Sequence, residues 1–219
     1  PDCAEYDPTL GYRLKSGECR FVNREFDTKY RISRDGFRDD TDPSTASVVV
    51  TGDSFAMGWG VEQNETFAEM LQERLKQPVL NAAVSSYGTA RELLRLRQLL
   101  LNPSAAVVIA YNRNDFVENR TFLSGGDQLE IMSAKAYAGI VSEHAETTEY
   151  YIFKHLHLLT MNAWASWNAP PPARLGQPSS LIEAQTFLNV LKRFPDVLAG
   201  RRVVIVDTEE YLARDNNFI

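Results

Sequence analysis

Apolar positions along the chain change period several times, and each change marks an element. Ser47-Val48-Val49-Val50-Thr51 is a continuous β-branched run that stops at Gly52-Asp53-Ser54. Such a run reads as a strand buried on both faces, of the kind found in parallel sheets. The period then shifts. Phe67, Met70, Leu71 and Leu75 fall at i, i+3, i+4 and i+8, which predicts a helix over 64–76 with that stripe turned inward. Residues 78–84, 105–111 and 202–207 read as three further strands. Between the second and third, Thr89 predicts an N-cap for a helix reaching Leu101. Its leucines 93, 94, 96, 99 and 100 are expected to pack, with Arg91, Arg95 and Arg97 in solvent. Asn102-Pro103 stops it. Strands alternating with amphipathic helices predict an α/β domain, a parallel sheet with helices on both faces.

The flanks read differently. Residues 1–45 are polar and turn-rich, with strand-like pieces such as Tyr30-Arg31-Ile32 and a turn at Asp35-Gly36. Six aromatics in this stretch are many for a tail, so it is expected to drape over the main domain, 46–219, as an extension. Between the third and fourth strands lies an insertion, about 120–200. It carries helical patterns near 128–145, 150–166 and 180–194 and a loop at Asn168-Ala169-Pro170-Pro171-Pro172. No internal repeat is present.

Composition narrows the partners. The 219 residues carry a formal net charge of −6, and the pI is about 5.2. There is no basic surplus to pair with phosphates, which argues against nucleic acid or an anionic membrane surface as partner. No apolar run is long enough to span a bilayer. The chain opens at Pro1 without a signal-type segment, which suits a chain trimmed of a leader or of a membrane anchor. Cys3 and Cys19 are the only cysteines. The even count and the short loop between them point to a disulfide, and hence to a periplasmic or secreted protein. No CxxC or nearby histidine suggests a metal.

In open α/β sheets function gathers at the carboxyl ends of the strands. The first strand ends in Gly52-Asp53-Ser54-Phe55. The second passes Asn81 into Ser85-Ser86-Tyr87-Gly88. The third ends in Asn112-Arg113-Asn114-Asp115. A serine directly after a strand holds its hydroxyl at the sheet edge, with its own N–H facing the same space. A second loop of N–H groups and the Asn114 amide then complete a three-donor pocket for the oxyanion of acyl transfer. Each residue alone has a plainer reading, as a cap or a turn former. Their coincidence at three strand ends favours chemistry.

On these residues the chain resembles the SGNH (GDSL-type) hydrolases, a family of esterases, lipases and acyltransferases. The resemblance spans roughly 48–119. It implies a three-layer, flavodoxin-like fold. It also implies Ser54 as nucleophile and Ser54 N–H, Asn114 and an amide of the second loop as the oxyanion hole. Thr51 to Val61 followed by Glu65-Thr66-Phe67, and the segment Tyr6 to Tyr12, are similar to members found with bacterial surface-polysaccharide genes. A small-molecule or polysaccharide acyl ester is thus the implied substrate, with no cofactor. The family's second block carries a glycine where this chain has Ser86, with Gly88 two residues on. Either can supply the amide.

The family's Asp-x-x-His is absent, although a serine hydroxyl needs a base. The first expectation is that the pattern continues beyond Ile219. The second is that His144, His155 or His157 is recruited from the insertion. The third is a catalytically inactive relative that binds or scaffolds glycans. A flavin or nucleotide site is disfavoured, since no Gly-rich phosphate loop follows the first strand. Trp59, close after Ser54, and Arg113, beside Asn114, are candidate substrate contacts. Trp164 and Trp167 read as core or rim aromatics. His155-x-His157 lacks the spacing of a helical metal pair. Asn64-Glu65-Thr66 and Asn119-Arg120-Thr121 match the glycosylation pattern.

Overall fold

A computed structural model describes residues 3–22, 26–148 and 180–208. Two antiparallel hairpins come first: β1 (Ala4–Asp7) with β2 (Gly11–Leu14), and β3 (Gly17–Val22) with β4 (Asp27–Ile32). Cys3 and Cys19 form a disulfide between them, with Cα atoms 5.5 Å apart. The sheet that follows is parallel. It comprises β5 (Val48–Gly52), β6 (Val79–Asn81), β7 (Ala106–Tyr111) and β8 (Val203–Asp207), in the order β6-β5-β7-β8. The chain steps from β5 outward to β6, then crosses back to the other side of β5 for β7. The carboxyl ends of β5 and β7 therefore face each other where the winding reverses, the usual place for a site in an open sheet.

Period-two alternation sorts the strands onto two faces. Val49, Val107 and Ile109 join one buried cluster, under α3 (Thr89–Arg97), α4 (Asp115–Ser124), α6 (Ser180–Leu191) and α7 (Pro195–Leu198). Val48, Val50, Val108 and Ala110 join the other, under α1 (Ser54–Met57), α2 (Phe67–Leu75) and the hairpins. The molecule is thus a four-stranded parallel sheet flanked by helices on both faces. Helix α5 (Ala134–Thr148) follows α4. The 150–166 helix, the Pro-rich loop, Trp164, Trp167, His155 and His157 lie outside the described residues.

Three expectations are corrected. The helix predicted over 64–76 is a short 3₁₀ turn, Gln63–Glu65, and then α2, because the Thr66 hydroxyl accepts from Glu69 N–H and restarts the chain there. Its inward face is Ala68; Phe67, Met70 and Leu75 are exposed. The cap of α3 is Gly88, and Thr89 is its first residue. The helix ends at Arg97, leaving Leu100 in solvent. Arg91 and Arg95 are buried, at 9% and 8% exposure. The extension covers them. Arg91 donates to Leu10 O at 2.7 Å and pairs with Glu118 at 2.6 Å. Arg95 donates to Asp35 O and lies over the Phe37 ring.

Candidate active site

Ser54 opens α1 directly beyond the end of β5. Gly52 makes that turn possible. A Cβ there would lie 2.7 Å from Ala56 Cβ and 2.9 Å from Ala110 Cβ, so only hydrogen lets α1 fold back against β7. Asp53 caps the turn, its Oδ1 accepting from Phe55 N–H at 2.9 Å. Its Oδ2 accepts from Asn114 Nδ2 at 3.2 Å. That bond ties the residue before Ser54 to the end of β7, although Asn114 itself lines a cavity that does not include Ser54. An amide nitrogen has two hydrogens, and one remains for another acceptor.

Ser54 lines a cavity of about 520 Å³ with Phe55, Trp59, Phe67, Ser85 and Ser86 among its walls. The two candidates for the second-loop amide separate here. Gly88 N–H donates to Glu118 Oε1 at 3.0 Å, and Gly88 is buried away from the cavity. Ser86 borders the cavity, at φ 62°. A left-handed backbone is what glycine adopts without strain. Among the described residues neither Ser54 N–H nor Ser86 N–H has an acceptor. Trp59 stands at the rim, 41% exposed, edge-on to Phe21 at 4.6 Å. Arg113 turns elsewhere. Its Nε is 3.4 Å from Glu183 Oε2 of α6, and it does not line the cavity.

Helix α4 braces both loops, a role the sequence analysis overlooked. Asn114 holds Asp53, Asp115 accepts from Thr89 Oγ1 at 2.8 Å, Glu118 holds Gly88, and Asn119 Oδ1 accepts from Ala90 N–H at 3.0 Å. The signal was present: Asp115, Glu118 and Asn119 sit at i, i+3 and i+4, one polar face. That burial removes Asn119 as a glycosylation acceptor. Behind the corner lies Glu92, fully buried and 3.4 Å from Thr51 Oγ1. Burial, with Asp115 and Asp53 nearby, pushes its carboxyl well above the ordinary range. Burial likewise pushes Asp115 up to about 8, with the neighbouring carboxyls adding to it.

No family model matches the chain, and no curated protein matches it. The site is defined by its own geometry. From the other side, the extension locks it in place. Tyr12 OH donates to Ser85 O at 2.6 Å, and burial pushes that phenol up to about 12, so it remains a donor. Arg38, stacked 3.9 Å over the Tyr30 ring, donates to Gly58 O and Val61 O beyond α1. No histidine side chain is among those described; His144 lies in α5.

Proposed function

We propose that the protein is a serine-dependent acyl ester hydrolase or acyltransferase of the SGNH type, with Ser54 as nucleophile. The observation that carries this is the arrangement at Ser54: Ser54 and Ser86 line one cavity, and Asn114 is bonded to the residue preceding Ser54. The strand order β6-β5-β7-β8 supports this reading, since it is compatible with the first four strands of a flavodoxin-like sheet. Ser54 Oγ attacks the ester carbonyl carbon while its proton passes to a base outside the described side chains. The carbonyl oxygen takes the negative charge, facing Ser54 N–H, Ser86 N–H and the Asn114 amide. Collapse expels the alcohol, which takes up the proton. Water or a sugar hydroxyl then attacks the acyl-serine and frees Ser54. O-acylated carbohydrate is the proposed substrate, and water or a free sugar hydroxyl the acceptor. The Cys3–Cys19 disulfide supports an oxidising, extracytoplasmic setting.

A fluorophosphonate probe tests the reading on the full chain. Labelling of the wild type and none of Ser54→Ala is the expected result. Absence of labelling in both would replace the enzyme with a glycan-binding relative that keeps the fold.

A further inference from the structure

The Ser54 cavity does not end at Trp59. A second cavity, of about 210 Å³, shares Trp59, Ser85 and Ser86 with it and runs among Tyr12, Leu14, Phe21, Tyr30, Met57 and Val84. A third, of about 320 Å³, shares Ala4, Tyr12, Phe21 and Trp59 with the second and reaches Met132, Tyr137, Ile140 and Val141. Trp59 borders all three. Among the described residues, no charged side chain lines the second or the third. The disulfide fixes one wall through Cys3, and α5 forms the far end. Asn114 lines a separate cavity, with Arg91, Glu118, Thr121 and Glu130 beside the apolar Val117, Ile131 and Met132; Met132 also borders the third cavity.

We infer that this apolar groove holds the acyl chain of the substrate, making the protein selective for medium- to long-chain acyl esters of a polar alcohol. The inference rests on the ester-cleaving reading above and deepens it. The groove opens at Ser86, on the amide side of the corner, and an alkyl chain satisfies a wall without polar partners where a sugar would not. The charged groups in the Asn114 cavity suit a hydroxylated alcohol. Each methylene taken out of water favours binding by about fourfold.

The test uses the full chain and p-nitrophenyl esters. The expected kcat/KM rises at least about tenfold from acetate to octanoate, even with incomplete burial. Ile140→Glu, at a half-exposed position of the groove's far end, lowers that octanoate-to-acetate ratio by about tenfold. Independently of turnover, sodium dodecanoate titrated into Ser54→Ala in a calorimeter binds saturably, and adding Ile140→Glu abolishes the binding. Acetate cleaved as well as octanoate, with no dodecanoate bound, overturns the groove and leaves the esterase reading intact. A chain-length gain with octyl acetate but not with octanoate esters overturns the assignment to the acyl side. Dodecanoate binding without fluorophosphonate labelling of Ser54 overturns the esterase reading, and the acyl assignment with it.

Discussion

Two loops border the Ser54 cavity, and they meet the same demand by different means. The β5–α1 corner is buried and intolerant: Gly52 has no room for a methyl group, and Asp53 is bonded on both oxygens. The β6–α3 loop is exposed at Ser86, which takes a left-handed backbone without being glycine. In the first, sterics leave a single choice of residue. In the second, a modest conformational cost is tolerated because the flanking Ser85 carbonyl and Gly88 amide are pinned by Tyr12 and Glu118.

Four substitutions sharpen or break that contrast. Asn114→Ala removes both the brace on Asp53 and a proposed oxyanion donor. It should lower kcat about 10²–10³-fold, and a loss below about threefold in steady-state kinetics would remove Asn114 from the chemistry. Gly52→Ala should cost about 3 kcal/mol, seen as a melting temperature roughly 6–12 °C lower. A drop under about 2 °C would mean that the corner gives way easily and the contrast is false. Asp115→Asn tests the support beneath the corner. Folded Asp115 titrates at about 8 against an ordinary 3.8. Its contribution is therefore full at low pH and is lost as pH rises toward 8. Wild-type stability should fall by on the order of 2 kcal/mol between about pH 6.5 and about pH 8, and the variant should flatten this part of the urea-denaturation profile. Ser86→Gly should matter least. Relief of the left-handed strain and the greater freedom of the unfolded chain nearly cancel, so the change should stay within about 0.5 kcal/mol by the same method. A loss of about 2 kcal/mol would show that the serine side chain holds its loop.

How legible these regions were follows from how local their causes are. β5 and β7 declare themselves as β-branched or apolar runs, because a strand buried on both faces has no polar residue to hide it. The Gly-Asp-Ser corner is likewise local: a turn, a cap and a hydroxyl in consecutive residues. Arg91 and Arg95 misled because helical periodicity treats a charged face as a wet one. What buries them is a hairpin some eighty and a turn sixty residues earlier, and a pattern within one helix holds no record of that. The choice between Ser86 and Gly88 was out of reach for a similar reason. It is made by Glu118, thirty residues on, which claims the glycine's amide.

Arg38 carries a practical consequence. Its guanidinium, sealed in against Tyr30, holds the carbonyls of Gly58 and Val61 on the segment that follows α1. A clone trimmed to begin at the sheet would discard that clamp and strip the cover from Arg91. The hairpins cannot be treated as a dispensable leader, and a fragment starting at residue 46 is expected to be insoluble rather than a minimal working unit.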